Sequence, residues 1–220
     1  MQVILNEIPI RETLHFLGWR GTPLESALVH QINEISQRAI ACCEPRVVYK
    51  RFKLSSDGGV EGAAFFPKGN DIAAMLQPCH EGILFAATLG VQSERMLLKE
   101  QARDSAQAVL LDAVLSAAIE EVCNQAEEWL RRELAGEGMY LTNRFSPGYG
   151  DMPLEQTLMM CEVLDTNRSI GLTVSSSGIM IPRKSVTAVM GVSRTAVPMR
   201  PRGCAGCTAR ETCPMRRNGE

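Results

Sequence analysis

RFSPGYGD, residues 144–151, is the most informative segment of this chain. Its glycines and proline allow the backbone to approach a ligand closely, because glycine lacks a side chain and proline fixes the turn. Arg144 offers a planar fork for a carboxylate, and Tyr149 offers a stacking face and a hydroxyl. Together they suit a small zwitterionic ligand that carries a ring. A turn that caps a helix would need only the Pro, Gly and Asp, and it leaves Arg144 and Tyr149 unexplained.

A long helical pattern precedes this loop. Residues 91–134 contain neither Pro nor Gly and are rich in Ala, Leu, Glu, Gln and Arg, which predicts helix with a break near Arg103 or Asp104. Glu120 falls one turn beyond Ala117 on a strip of small residues. A carboxylate there would face whatever packs against the alanines. The alternative is a solvated Glu at the point where the helix leaves the core, which is the commoner case for a lone carboxylate.

The remaining elements follow from periodicity and turn signals. After the loop, Asp151 is expected to cap a helix that begins at Met152-Pro153 and ends near Leu164. A turn signal at 55–59 predicts that the two strands on either side of it form a hairpin. The patterns elsewhere predict helices at 10–17, about 24–42 and 70–76, and strands at 45–54, 60–66, 81–88, 172–175 and 186–192.

Composition and charge exclude several classes of protein. The 220-residue, 24.1 kDa chain has 45% hydrophobic and 22% charged residues, as globular proteins do. No run approaches the ~20 apolar residues of a membrane span, so no membrane partner is expected. A net charge of −2 argues against nucleic acid as the main partner. The first ten residues show no basic region followed by an apolar core, so we expect a cytoplasmic protein with reduced thiols.

The last residues form a basic, cysteine-bearing tail. Residues 199–220 carry five Arg against two Glu, a local charge of +3 that leaves −5 for the rest. Cys204, Cys207 and Cys213 lie there within ten residues. They could hold an iron–sulfur cluster or zinc, or they could stay unliganded. A fourth ligand of a cluster would come from outside the chain, from a small molecule, or from one of four other cysteines: Cys42, Cys43, Cys79 and Cys161.

The Arg-x-x-Pro-Gly-Tyr motif at 144–149 resembles that of a known family, the activation domain of vitamin B12-dependent methionine synthase. The order of the surrounding elements is similar too: a long helix, the loop, a capped helix, then Ile170-Gly171 and a run through Pro182 and Ser185. The resemblance covers about residues 90–193. The part before it is similar to the start of small stand-alone members.

This resemblance implies an α+β fold of mixed helices and antiparallel sheet. It predicts one body over residues 1–198, with a helical and hairpin part to about residue 90 and an S-adenosylmethionine-binding part at 91–198. The cysteine-rich tail at 199–220 follows as an appendix.

The resemblance also implies a site for S-adenosylmethionine. Arg144 would pair with the methionyl carboxylate, and Glu120 would attract the ammonium or the sulfonium. The backbone around Ser146 and Gly148 would approach the adenosine, and Tyr149 would contact the ligand as well.

The family's chemistry concerns a corrinoid that has slipped to its inactive Co(II) state, which is reduced by an electron donor and methylated by S-adenosylmethionine. The resemblance therefore implies a corrinoid-binding methyltransferase partner that supplies cobalamin, and an electron donor, a role that an iron–sulfur tail could fill. The chain would be a methyltransferase component of methionine synthesis that orients the methyl donor, with no catalytic side chain. The alternative is a docking or scaffold subunit for a corrinoid protein, without a productive S-adenosylmethionine site.

Overall fold

The structure, a computed structural model of the chain, describes residues 3–19, 25–55, 58–63, 65–197 and 211. Its helices are α1 (Ile10–Phe16), α2 (Ser26–Cys42), α3 (Asn70–Leu76), α4 (Val91–Arg103), α5 (Ser105–Gly136), α6 (Gln156–Leu164) and α7 (Thr166–Ile170). Its strands are β1 (Arg46–Lys53), β2 (Glu81–Thr88), β3 (Tyr140–Leu141), β4 (Thr173–Val174), β5 (Met180–Ile181) and β6 (Ser185–Ser193).

A four-stranded antiparallel sheet with the order β1-β2-β6-β3 forms the middle of the protein. Strand β2 is buried on both faces. Its successive side chains point to opposite sides of the sheet, and each side is covered by a hydrophobic core. Phe85 reaches one hydrophobic core, and its neighbours Leu84 and Ala86 reach the other. This double burial accounts for the uninterrupted apolar run in the sequence of β2.

Helices cover both faces of the sheet. The larger core lies between the sheet and the helices α1, α2, α4 and α5. The smaller core lies between the opposite face and the helices α3, α6 and α7. The long helix is interrupted where the sequence predicts, because Asp104 is extended and its Oδ1 accepts the N–H groups of Ala106 and Gln107. The predicted class, mixed helices with antiparallel sheet, is confirmed.

The predicted hairpin between 45–54 and 60–66 is wrong in its extent, because the chain reverses at the predicted turn but forms no second strand over the described residues of 60–66. Strand β1 pairs with β2 along its whole length. Among the described residues, the segment after β1 returns to it through an isolated antiparallel bridge between Leu54 and Val60 and a hydrogen bond from the Glu61 N–H to the Lys53 carbonyl over 2.9 Å. Val60 and Phe65 are five residues apart, which would place them on opposite faces of a strand, yet both are buried in the smaller core. The segment turns back on itself instead, and the Val60 N–H donates to the Phe65 carbonyl over 3.1 Å.

Asp151 caps a helix, but not the one expected from its position in the sequence. Helix α6 begins at Gln156, without a side-chain cap. The Asp151 carboxylate instead accepts the backbone N–H groups of Asn70 and Asp71, over 2.6 and 3.1 Å, in the first turn of α3. Those N–H groups have no partner within the helix, and a carboxylate also complements the helix dipole. The loop at 144–151 is thereby tied to α3.

We expect Asp151→Ala to lower the melting temperature in a pH-dependent way. The hydrogen bonds that Asp151 accepts from the backbone N–H groups, first that of Asn70 and second that of Asp71, lower the pKa of Asp151 below its ordinary value. A carboxyl with a depressed pKa stabilises the fold fully above its unfolded pKa of ~3.9 and loses that contribution as pH falls through the folded pKa. The difference between wild type and variant should therefore be full at neutral pH and shrink below ~3.9.

Glu155→Ala provides the control for this measurement, since Glu155 stands at the start of α6 and makes no capping bond. Its effect on the melting temperature should be smaller at neutral pH. An equal loss in both variants, or an Asp151 effect that does not diminish in acid, would contradict the capping role.

Candidate functional site

A buried carboxylate on α5 holds the chain that leads into the loop. Glu127 is 1% exposed, and its two oxygens accept from two arginines. Oε2 pairs with Nε of Arg144 over 3.0 Å, and Oε1 pairs with Nη2 of Arg131 over 2.8 Å. A buried charge is tolerated when it is paired and hydrogen-bonded in this way.

The backbone between β3 and the loop is fixed on both sides. Arg131 donates to the carbonyls of Leu141 and Thr142. Phe145 exchanges two backbone hydrogen bonds with Val189 of β6, over 2.9 and 2.8 Å. Arg144 and Phe145 are adjacent along this extended segment, so their side chains point to opposite faces. Arg144 therefore meets α5, while the Phe145 ring is buried in the smaller core.

Glu120 and Arg144, both predicted to contact the ligand, contact each other in the structure. Nη2 of Arg144 donates to Oε2 of Glu120 over 3.2 Å and to Oδ1 of Asn124 over 2.9 Å. The Glu120 side chain is 41% exposed, whereas that of Arg144 is 13% exposed. Glu120 is thus neither a fully solvated residue nor a buried one, and its carboxylate retains access to the surface.

These contacts belong to a polar strip along α5, which we define as Asp112, Ser116, Glu120, Asn124, Glu127 and Arg131. Their spacing of three and four residues places them on one face of the helix. Lys184 binds the start of the strip, with Nζ 2.7 Å from both Oδ1 of Asp112 and Oγ of Ser116. Two separate segments of the chain are therefore attached to one helix face, at 144 and at 184.

Sequence analysis found Glu120 but missed Asn124, Glu127 and Arg131. The available signal was the same periodicity, because these positions continue the run from Ala117 and Glu120 in steps of four, three and four.

The loop itself presents an exposed tyrosine. Tyr149 is 49% exposed, and its ring packs edge-on against Phe145 with the centroids 5.9 Å apart. Its N–H donates to the Ser146 carbonyl over 3.1 Å. Gly148 and Gly150 adopt positive φ angles of 84° and 54°. At Gly150, a larger residue would be strained by the positive φ angle, and its Cβ atom would displace the carboxylate of Asp71.

A cavity of about 420 Å³ adjoins the strip at Asn124, the residue that also accepts from Arg144. Glu121, Glu128 and Trp129 line it, together with Val3 near the start of the chain. Its volume lies in the range of small-molecule sites. The structure therefore brings Arg144 and Glu120 together and carries Ser146, Gly148 and Tyr149 on the loop that follows. None of these five residues lines the cavity, which meets the strip only at Asn124. Their roles in ligand binding stay predictions.

The predicted metal ligands Cys204, Cys207 and Cys213 lie outside the described residues. Within the ranges that the structure describes, no group of three or more His, Cys, Asp or Glu could hold a metal ion. Burial raises the pKa of the Cys43 thiol to about 12 and that of Cys79 to about 11. Both side chains are therefore held as thiols at neutral pH. None of the described helices is long and apolar enough to span a membrane.

We expect Glu127→Gln to destabilise the protein by about 3 kcal/mol, because it leaves Arg131 and Arg144 without their buried countercharge. Equilibrium unfolding in urea measures the free energy. Glu128→Gln is the matched control, since Glu128 is 64% exposed and lies 3.6 Å from Arg132. That change should cost less than about 0.5 kcal/mol. Equal effects of the two substitutions would refute the role assigned to Glu127.

The fold has a counterpart of known structure. It is similar to the MetH reactivation domain in a crystal structure with bound AdoHcy, with a TM-score of 0.63 and 15% sequence identity, over 84% of this chain and 74% of that chain. No family model matches the sequence. A search of curated proteins finds no match. At this level of identity the likeness establishes the fold, which is that of a reactivation domain with mixed helices and antiparallel sheet.

Proposed function

We propose that this protein binds S-adenosylmethionine beside the polar strip of α5 and presents its methyl group to a corrinoid held by a partner methyltransferase. One observation carries the proposal: the partly exposed carboxylate of Glu120 and the guanidinium of Arg144 lie together at the start of a glycine-rich loop that carries an exposed tyrosine. The fold likeness to a reactivation domain with bound AdoHcy supports it independently.

The chemistry of these groups matches that of the ligand. S-adenosylmethionine carries a carboxylate, an ammonium, a sulfonium and an adenine ring. Arg144 suits the carboxylate, and Glu120 suits either cation. Tyr149 suits the ring by stacking, while the backbone at Ser146 and Gly148 can lie close to the nucleoside because this part of the loop has little side-chain bulk.

The buried pair with Glu127 prepares Arg144 for this role. Nε of Arg144 is bound to Glu127, so the orientation of the guanidinium is set before a ligand arrives. Nη2 is shared between Glu120 and Asn124 at the strip, where a ligand carboxylate would compete with Glu120. Less side-chain freedom is then lost on binding.

The mechanism we propose is one of orientation. S-adenosylmethionine supplies both the methyl group and the sulfonium that activates its leaving group. The chain binds the methyl donor, aligns it and excludes water around it, while the partner supplies the cobalamin and an electron donor supplies the reducing equivalent. Positioning alone can contribute much of the rate in such a transfer, so no side-chain nucleophile is needed.

A second candidate is a docking or scaffold subunit for a corrinoid protein, without a productive ligand site. The observation that favours it is that Arg144 is already bound by Glu120, Asn124 and Glu127. An arginine satisfied in this way can serve the fold alone. Calorimetric titration with S-adenosylmethionine distinguishes the two candidates.

We expect wild-type protein to bind S-adenosylmethionine and Tyr149→Ala to bind it roughly tenfold or more weakly, since stacking on an aromatic ring is worth about 1–3 kcal/mol per base. Tyr140→Ala is the matched control, because Tyr140 on β3 is 48% exposed, almost the same as Tyr149. The control should bind like wild type. Absence of binding in wild type, or equal affinity in the two variants, would favour the docking subunit.

Comparing two ligands that differ in charge, in the same titration, tests which cation of the ligand Glu120 attracts. If the Glu120 carboxylate attracts the sulfonium, the Glu120→Gln variant should bind S-adenosylmethionine more weakly than wild type does. Its affinity for AdoHcy, which lacks that charge, should be unchanged. A carboxylate that attracts the ammonium would weaken both ligands alike. If neither affinity changes, Glu120 is not part of the site.

The tail forms a separate part of the proposal, in which Cys204, Cys207 and Cys213 hold an iron–sulfur cluster that delivers the electron for reductive methylation, with zinc as the alternative. We expect anaerobically purified protein to contain iron and sulfide, and the variant Cys204→Ser/Cys207→Ser to lose both. Cys123→Ala changes a buried cysteine outside the tail that is not one of the possible fourth ligands, so this variant should keep them. Stoichiometric zinc without iron, or no metal at all, would exclude the electron-transfer role.

A further inference from the structure

A groove between α2 and α4 collects positive charge outside the polar strip. Its volume is about 300 Å³. Four cations line it, one from α2 and three from α4, against a single carboxylate. The groove therefore carries a net charge of +3, in a chain whose net charge is −2. The charged residues are Arg38, Arg95, Lys99, Glu100 and Arg103.

The only ion pair of the groove among the described residues leaves most of this charge uncompensated. Nη2 of Arg38 lies 3.0 Å from Oε2 of Glu100, whose side chain is 10% exposed. Glu100 is thus turned inward and is already neutralised by Arg38. Arg95, Lys99 and Arg103 are exposed, and each lies at the groove without a carboxylate of its own there.

The row formed by Arg95, Lys99 and Arg103 is unfavourable for an isolated helix. The three cations are spaced four residues apart, and like charges at this spacing repel each other on a helix surface. Arg103 is explained by its place in the last turn of α4, where a cation complements the helix dipole. Arg95 and Lys99 lie further back and have no such explanation. An anion between them would relieve the repulsion.

We propose that this groove binds a small polyanion, a molecule carrying a phosphate or diphosphate group. Arginine and lysine side chains are the usual ligands of phosphate oxygens, through charge-assisted hydrogen bonds. The cations converge on one concavity of a size that suits a small molecule, rather than spreading over a flat surface. The site is separate from the one proposed for S-adenosylmethionine and does not depend on it.

Inorganic pyrophosphate is the probe for this site, titrated into the full chain by calorimetry and by thermal shift. Arg95→Gln/Lys99→Gln removes two cations of the groove. The matched control Lys53→Gln/Arg168→Gln removes the same charge at exposed positions elsewhere. We expect wild type and control to bind pyrophosphate and gain thermal stability, and the groove variant to bind about tenfold more weakly or not at all.

Without the probe, the groove variant should melt no lower than wild type, because it loses a repulsion and no described ion pair. This separates loss of a site from loss of the fold. The proposal is overturned if wild type shows no saturable binding of pyrophosphate, or if the groove variant and the control bind it equally.

Discussion

A single buried carboxylate determines where the loop at 144–151 lies. Glu127 sits within the apolar interior of α5, where an unpaired charge would cost several kcal/mol. Arg131 satisfies it from the same helix, and Arg144 satisfies it from the segment that enters the loop. Because removing either partner would leave this buried charge incompletely paired, the position of Arg144 is tied to the burial of α5. The candidate site therefore depends on a buried carboxylate that is not itself one of the proposed ligand contacts.

The other end of the loop is anchored in a different layer. Arg144 is bound to α5 over one face of the sheet, whereas Asp151 is bound to the first turn of α3, which covers the opposite face. Between these two attachments, Phe145 fills the smaller core and supports the ring of Tyr149. An exposed tyrosine on a surface loop would ordinarily sample many orientations, at an entropic cost to any ligand that fixes it. Here that freedom is restricted in advance.

Local patterns predicted what local forces determine. The apolar run of β2, the helix at 70–76 and the break at Asp104 each follow from a few neighbouring residues, and each is found in the structure. The errors concern partners distant in sequence. Asp151 caps a helix eighty residues earlier, and the ladder of β1 is formed with β2, whereas the nearer segment meets its end in a single bridge. Glu127 was missed because its countercharge Arg144 is brought to it only in the folded chain. Which distant residues become partners depends on the tertiary packing of the chain.

The two attachments along α5 also set a length. Lys184 binds at Asp112 and Arg144 binds at Glu127, fifteen residues further on, which corresponds to roughly 22 Å of helix. A helix cannot stretch or shorten appreciably without breaking its backbone hydrogen bonds, so the interval between these anchors is constant. A molecule that lies along α5 between these two anchors would have to match this fixed distance, so its own length would decide whether it fits. Selection by length would then accompany selection by charge.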